Sequence, residues 1–454
     1  MANVALVGGT VITNSRRFRA NVLLQGGRVA GFTLDTHFST DIDVYDVTGF
    51  LIMPGAIDPH THLGNQGNER LSQLILQESR DAIVGGVTTL STTTALGERS
   101  LLEYLHGARE AVRSQSWTDY TLTLSPMTRS HIGEISLAVS QGARAFKFFL
   151  GYKGDEAVYF GMPSSGITLD MFYEGVAAIK TAGHGSYPMI HAEEPYLSEA
   201  IKSRTPFREE NALEWWNNSY PGISEAIDIF KAAMVTRHVG ITLYVVHTSS
   251  SEGLDTVRYL KHNGFDIVAE TCPHYLIRSL LDPLGVRGKV KPPLRRPEDQ
   301  RNLWQGVRQG LLTVLGTDTV PYTIEQKGPE AEFVSAPVGL GSSTAILLPL
   351  MFTEGVREGR LSLEQMVGLV STNAARALGV YPQKGSLEIG SDADVVVFDP
   401  DAEYVVPEHI GGSDFNVYSG MVLRGFPKMT FLRGQLVARD GAVVGSLNGQ
   451  EVPQ

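Results

Sequence analysis

The sequence has almost no cysteine, no long apolar run and no excess of basic residues. A single cysteine, Cys272, excludes an intrachain disulfide and a cysteine-rich zinc site, so a reducing compartment is expected. No stretch reaches the ~20 uninterrupted apolar residues of a membrane span, and the N-terminal residues lack the cationic leader of a signal peptide. These absences predict a cytoplasmic protein that does not bind membranes.

Basic residues are also too few and too scattered for a nucleic-acid surface. The chain has 38 Lys and Arg against 49 Asp and Glu, a net charge of -11, and no basic stripe that could neutralise phosphates. With 42% hydrophobic and 19% charged residues, the composition is typical of a folded protein. A length of 454 residues fits one large barrel of about 250 residues or more with a smaller accessory domain.

Short β-type runs separated by glycine-rich turns occupy both ends of the chain. Neither end alone has enough strands for a stable sandwich, so we expect the two ends to pair into one smaller β-sandwich domain. The predicted boundaries assign residues 1–53 and 380–454 to this composite domain. Residues 54–379 then form the other domain.

The middle of the chain alternates β-rich runs with amphipathic helical stretches, which is typical of parallel βαβ units. Eight such alternations predict an α/β fold, a closed (β/α)8 barrel of the TIM type. The candidate strands are Ala56–His62, Val87–Thr92, Tyr120–Leu124, Ala145–Leu150, Tyr187–His191, Thr242–His247, Asp266–Glu270 and Leu312–Gly316.

A pair of histidines closes the first candidate strand. His60 and His62 are alternate residues of that strand, so both imidazoles point the same way and can reach one metal ion. Taken alone, such a pair also fits two ordinary polar residues at a strand end. Its position matters, because barrel enzymes assemble their sites at the C-terminal ends of their strands.

Lys147 lies in an apolar run at the end of the fourth candidate strand, where a lone ammonium would be costly. The lysine must therefore be neutral, paired or modified, unless its head reaches solvent. A neutral amine can add carbon dioxide and become a carbamate, whose two oxygens can bridge two cations.

Further polar residues follow later strands. His191 and His247 end the fifth and sixth, and Asp318 follows the eighth, where a carboxylate can bind a metal and accept a proton from water. Each residue alone also fits a structural role. Together they suggest two ligand sets that share modified Lys147, and a set of imidazole and oxygen donors suits zinc, manganese or cobalt. The first set is His60, His62, Asp318 and Lys147; the second is His191, His247 and Lys147.

These residues stand within motifs that run almost from end to end of the chain. Because all of these motifs occur, and in the same order, the sequence resembles the cyclic amidohydrolases, most closely the dihydropyrimidinase and hydantoinase branch. The motifs include Pro54–His62, Gly85–Thr89, Phe146-Lys147, Tyr152-Lys153, His191–Glu193, Val246–Ser249, Glu270–Leu276, Pro292–Arg295, Gly316–Asp318, Ser371–Ala375 and Lys384–Asp394.

The resemblance implies a hydrolase that opens a cyclic amide with two divalent metal ions, usually zinc, bridged by carboxylated Lys147 and a hydroxide. Asp318 would act as general base and then acid, and Tyr152 would stabilise the developing oxyanion. Backbone groups near Lys291 and Ser335 would hold the amide edge of the ring. A homo-oligomer, tetramer or dimer, is also implied.

Departures from the family pattern concern the substrate. Hydantoinases have a small residue where this chain has Lys291, and a histidine where it has Thr319, whereas Lys289 resembles the allantoinase pattern. Either the Lys291 side chain reaches the pocket and favours anionic rings, or only its backbone faces substrate while its ammonium lies in solvent. Two alternative functions stay open at this point: an allantoinase, and a non-catalytic scaffold with the same fold.

Overall fold

The N-terminal segment folds into short strands joined by turns. One turn is explained by sequence: Gly26 and Gly27 both have positive φ, at 60° and 82°, and join two antiparallel strands through a two-residue hairpin that glycine tolerates best. The strands of this segment are β1 (Asn3–Val7), β2 (Thr10–Ile12), β3 (Arg17–Arg19), β4 (Asn21–Gln25), β5 (Arg28–Thr33), β6 (Ile42–Asp46) and β7 (Leu51–Pro54).

Eight parallel strands then form the barrel in this computed structural model, which describes residues 3–35, 37–64, 68–94, 97 and 99–452. Each strand pairs with the next along the chain. The barrel closes where His62 N–H donates to Thr319 O at 2.8 Å and Asp318 N–H donates to His60 O at 2.9 Å. The barrel strands are β8 (Ala56–Gly64), β9 (Val87–Thr94), β10 (Asp119–Leu124), β11 (Ala145–Phe149), β12 (Tyr187–His191), β13 (Leu243–Val245), β14 (Ile267–Thr271) and β15 (Val314–Leu315).

The predicted barrel is confirmed, and each predicted strand overlaps an observed one. Strands β13 and β15 are shorter than predicted, and a residue of positive φ follows each of them. His247 has φ of 39° and Asp318 has φ of 52°, and neither value is compatible with a continuing strand.

Helices cover the outside of the barrel, so strands such as β8 are buried on both faces. Short 3₁₀ helices occur at Glu209–Asn211, Gly285–Gly288, Glu330–Glu332 and Thr344–Ile346, and π-helical turns at Met351–Arg357 and Gly368–Thr372. The α-helices are α1 (Asn68–Val84), α2 (Leu101–Val112), α3 (Arg129–Ser140), α4 (Asp155–Tyr159), α5 (Leu169–Ala182), α6 (Pro195–Lys202), α7 (Ala212–Ser219), α8 (Gly222–Val239), α9 (Ser251–His262), α10 (Pro273–Ile277), α11 (Pro297–Arg308), α12 (Ile324–Lys327), α13 (Leu347–Leu350), α14 (Leu363–Val367) and α15 (Asn373–Ala377). Among the described residues, no helix combines the length and apolar character needed to span a bilayer.

The two chain ends form the predicted second domain together. The C-terminal strand β16 (Val395–Val405) runs antiparallel to β7, and β7 in turn pairs with β2 in a seven-stranded sheet. A four-stranded sheet of β5, β4, β1 and β6 packs on it, and both sheets contribute to one core through residues such as Leu24 and Phe431. The domain boundaries at residues 53/54 and 379/380 stay a prediction. The remaining strands are β17 (Val422–Leu432), β18 (Gln435–Arg439) and β19 (Ala442–Val443).

A buried ion cluster joins this composite domain to the barrel. The Lys384 ammonium contacts Asp119, at the start of β10, and lies 2.9 Å from Asp392 and 2.8 Å from Asp394. Arg433 also pairs with Asp119. Burial alone would lower the pKa of Lys384, but the three carboxylates, Asp394 foremost, raise it above its usual range. The three carboxylates thus already surround a cation of the chain itself.

Candidate metal centre and substrate cavity

All six side chains predicted to bind metal meet at the C-terminal mouth of the barrel. His60 and His62 lie on β8, and Lys147 lies on β11. His191 is the last residue of β12, whereas two more of the six follow strands β13 and β15. Every one of these side chains is buried. The six are His60, His62, Lys147, His191, His247 and Asp318.

Four of these side chains bring their polar atoms to one point. His60 Nε2 lies 3.1 Å from His62 Nε2, and Asp318 Oδ1 lies 3.2 and 3.1 Å from those two nitrogens. Lys147 Nζ lies 2.5 Å from His60 Nε2 and 3.0 Å from His62 Nε2. Two imidazole nitrogens, a carboxylate oxygen and an amine therefore converge in a space the size of one coordination shell.

The other two histidines stand beside this point. The His191 and His247 rings meet edge to face with centroids 4.6 Å apart, and the His247 ring stacks on His60 at 5.5 Å. The Nε2 atom of His191 lies 2.9 Å from a carboxylate oxygen of Glu193. Both histidines line the same narrow pocket as Lys147 and Asp318.

Burial keeps three of the histidines, His62, His191 and His247, in the neutral form that binds metals. It lowers the pKa of His62 to about 4, with the charge of Lys147 acting in the same direction. The pKa values of His191 and His247 are held well below the usual range, again chiefly by burial. Neutral imidazoles offer a free lone pair at neutral pH, as metal ligation requires.

Two of the six residues have strained backbones. His247 and Asp318 have positive φ values, a region that a non-glycine residue rarely adopts. Asp58 fixes the segment beside Asp318: its carboxylate accepts hydrogen bonds from Thr317 N–H at 3.0 Å and Thr317 Oγ1 at 2.6 Å. Backbone strain held by surrounding contacts is typical of functional sites.

Glu270 was given no role by the sequence analysis, although it stands within a quoted motif. Its buried carboxylate lies 2.7 Å from His60 Nδ1, and it also accepts hydrogen bonds from Tyr244 Oη at 2.7 Å and His247 N–H at 3.1 Å. The contact assigns the proton of His60 to Nδ1 and directs Nε2 toward Lys147 and Asp318. The available signal was an acidic residue near the end of an otherwise apolar buried strand.

Replacing Glu270 with Gln should weaken the centre without removing any of the six converging residues. An amide can offer only its carbonyl oxygen to the His60 Nδ1–H and loses the charge that makes the imidazole more basic. We expect metal affinity or turnover to fall by about 10–100-fold. Metal content and kcat measured on one sample test this, and Glu252→Gln, at an exposed residue of helix α9, is the control. Unchanged values in both variants would remove Glu270 from the site.

Tyr152 borders the metal centre. Its ring lies 5.0 Å from the His191 ring and it lines the same pocket as Lys147 and Asp318. Burial raises the pKa of the Tyr152 phenol well above its usual value. The hydroxyl therefore stays protonated and can donate a hydrogen bond to a substrate oxygen.

The Lys291 ammonium does not lie in solvent, so that reading of the sequence was wrong. The side chain is 1% exposed and donates to Gly151 O at 2.8 Å and to Glu156 Oε2 at 2.6 Å. The Glu156 carboxylate, on a side chain that is 37% exposed, pairs its charge. Ser335 is not brought to the metal centre; it is exposed and lines an outer cavity.

The chain belongs to the amidohydrolase family, whose family model matches residues 51–451. It is 29% identical to a D-hydantoinase of Geobacillus stearothermophilus over 456 residues, covering 96% of this chain and 93% of that one. It is also 29% identical to an L-hydantoinase of Paenarthrobacter aurescens over 450 residues, covering 97% and 94% of the two chains.

Solved structures that superpose on this chain carry names of the same kind as these relatives. A dihydropyrimidinase from Brevibacillus agri NCHU1002 superposes with a TM-score of 0.89 at 27% identity, covering 100% of this chain and 98% of that one. A D-hydantoinase from a Bacillus sp. AR9 has a TM-score of 0.88 at 27% identity, with 99% of each chain covered. The similarity thus extends over the barrel and the composite domain together.

Proposed function

We propose that this protein is a metal-dependent hydrolase that opens the ring of a cyclic amide, such as a hydantoin, a dihydropyrimidine or a related imide or ureide. One observation carries the proposal. Six potential metal ligands converge at the mouth of an amidohydrolase-family barrel, beside a protonated tyrosine.

The donor set fits two divalent metal ions. In the proposed arrangement His60, His62 and Asp318 hold one ion, and His191 and His247 hold the other. Lys147, carboxylated on Nζ, is shared by both, because a carbamate offers two anionic oxygens where an unmodified amine offers one neutral nitrogen. Zinc suits these imidazole and oxygen donors, and manganese or cobalt is the alternative.

The side chains of the site divide the reaction between them. When bound, the metal ions would supply a water of lowered pKa and a Lewis acid for the amide carbonyl. Asp318 accepts the proton of the attacking water and returns it to the leaving ring nitrogen. Tyr152 donates its hydroxyl to the carbonyl oxygen as negative charge develops there. Backbone groups near Lys291 hold the amide edge of the ring. Ser335 lines the outer cavity, away from that edge.

One experiment tests the proposed function against the two alternatives, an allantoinase and a non-catalytic scaffold. The relatives found are named hydantoinases and dihydropyrimidinases, which does not favour an allantoinase. Protein purified without chelator should contain about two metal ions per chain and open at least one ring in an ultraviolet screen of dihydrouracil, hydantoins, allantoin, succinimide and phthalimide. Metal-loaded protein that opens none of these rings would point to the scaffold instead. Gel filtration of the same sample tests the proposed homo-oligomer.

Asp318→Asn should lower kcat by roughly 10²-fold or more while the fold persists, because an amide cannot accept the proton of water. Since Asp318 is also a proposed ligand, metal content must be measured on the same sample. Asp282→Asn, at a partly exposed residue that does not line the inner pocket, serves as the control. Turnover near that of the unmodified protein would exclude Asp318 as the base.

A further inference from the structure

A second cavity opens directly from the metal centre. It has a volume of about 690 Å³, and it shares Tyr152, Phe160, Lys291 and Val338 with the inner pocket. The inner pocket has a volume of only about 30 Å³, little more than the space of one water. A substrate that presents its amide to the metal centre must therefore extend its remaining atoms into the outer cavity.

Three lysines line this outer cavity beside aromatic rings. Lys289 Nζ lies 4.5 Å and Lys202 Nζ 5.5 Å from the ring centroid of Trp216. Lys291 Nζ lies 4.2 Å from the centroid of the Tyr152 ring. Lys289 is buried, whereas Lys202 is about one-third exposed. The ammonium groups are thus held at the wall of the cavity rather than extended into bulk water.

The three lysines of this wall do not each have a carboxylate at hydrogen-bond distance. Glu156 accepts from Lys291 at 2.6 Å and from Tyr220 Oη at 2.8 Å, and it lies 3.9 Å from Lys202, beyond hydrogen-bond distance. Lys289 donates to two carbonyl oxygens, those of residues 334 and 336, at 2.9 and 2.6 Å, and Lys202 donates to Tyr220 Oη at 3.4 Å. Lys291 is therefore neutralised by Glu156, whereas among the residues that the structure describes no carboxylate is hydrogen-bonded to Lys202 or Lys289.

We propose that Lys202 and Lys289 form a subsite for a carboxylate carried on the ring substituent of the substrate. This inference rests on the proposed function and names the substrate class of the same site: a cyclic amide whose side chain ends in an anion. In this arrangement the apolar part of the substrate's side chain packs against Trp216 and Phe160. The carboxylate at its end contacts the ammonium groups of Lys202 and Lys289. Burial and the charge of Lys202 lower the pKa of Lys289 to about 7, and a bound anion would restore its charge.

The anionic preference belongs to Lys202 and Lys289 rather than to Lys291. Burial would raise the pKa of the Glu156 carboxyl, but the charge of Lys291 outweighs it and lowers this pKa to about 2, so the Glu156 carboxylate compensates the nearby ammonium. Lys291 thus acts on substrate mainly by fixing the wall between the two cavities, where it also contacts Gly151 O.

The test compares two ring substrates of the same shape, the hydantoins formed from glutamic acid and from glutamine. With the metal-loaded full-length protein, kcat/KM for the carboxylate should exceed that for the amide by about 10-fold or more, as for a charge-assisted hydrogen bond. Lys202→Met and Lys289→Met should each reduce this ratio several-fold by raising KM for the carboxylate. Lys289→Arg should retain the preference, and added salt should weaken it.

Lys180→Met is the matched control, because Lys180 donates to Gly240 O beside the loops that precede β12 and β13, at the opposite end of the barrel. The ratio should not change in this variant. Equal kcat/KM for both hydantoins, or a ratio unaffected in both Lys202→Met and Lys289→Met, would overturn the subsite.

Binding measurements separate this inference from the proposed function. Calorimetric titration of the two hydantoins into metal-loaded Asp318→Asn protein reports the charge preference without turnover. Tighter binding of the carboxylate, lost in the Lys202→Met background, supports the subsite even if neither ring is opened by the unmodified enzyme. Ring opening of both compounds without a difference in binding would leave the proposed function standing and reject the subsite.

Discussion

Lys147→Ala is expected to reduce turnover by roughly 10³-fold or more, the scale expected when an integral part of a catalytic unit is lost. The side chain lies within 3.0 Å of both His60 Nε2 and His62 Nε2. In our proposal its carbamate is the protein group that both metal ions would share. Its removal would take away the bridging anion that the chain supplies, so metal content should fall together with kcat.

The bridging role can be tested apart from the loss of a side chain. Addition of a short carboxylate such as acetate or propionate should recover part of the activity of Lys147→Ala, because it supplies two anionic oxygens to the vacated space. Intact mass of the unmodified enzyme, recorded under native and then acidic conditions, should show loss of one carbon dioxide. Active, metal-loaded protein that carries no such modification would contradict the proposal.

Lys384→Met should destabilise the fold by about 3–5 kcal/mol, the cost of removing one partner from a buried ionic cluster. Three buried carboxylates, those of Asp119, Asp392 and Asp394, would lose their central cation. Arg433 still pairs with Asp119 and Arg28 lies 2.6 Å from Asp392, so among the described residues Asp394 is the carboxylate left without a paired cation. The free energy of unfolding in urea measures the loss, provided that the barrel and the composite domain unfold together.

An exposed ion pair of the same chemistry is the control. Lys428 pairs with Asp440 at 2.5 Å, and both side chains are largely accessible to water. Lys428→Met should therefore change the free energy of unfolding by less than about 1 kcal/mol. Similar effects of the two substitutions would mean that the buried cluster contributes no more to stability than a surface pair.

The sequence predicted that the eight barrel strands exist better than it predicted where each of them ends. Apolar runs at strand spacing marked the eight strands, since a strand buried on both faces needs apolar side chains throughout. Their ends were less predictable. At His247 and Asp318, just past β13 and β15, the chain takes up positive φ values, and no local propensity of histidine or aspartate requires that conformation.

Polar residues at strand ends predicted which side chains meet at the barrel mouth. They did not predict which neighbouring groups orient those side chains through hydrogen bonds. Glu270 and His60 are 210 residues apart in sequence, and their 2.7 Å contact exists only because β14 and β8 face the same mouth of the closed barrel. The pattern around Glu270 also fits a structural role, so sequence gave no reason to pair it with His60.

What the sequence determined by itself is the order of elements, the fold class and the set of chemical groups at the strand ends, because these follow from short-range periodicity and residue type. The tertiary structure alone decided the direction and partner of each long side chain. Lys291 could have pointed to solvent or to the cavity by any local rule, and the fold decided by burying its stem and placing Glu156 within 2.6 Å of its ammonium. The physical reason is that electrostatic pairing depends on distances between remote segments, which exist only once the barrel has closed.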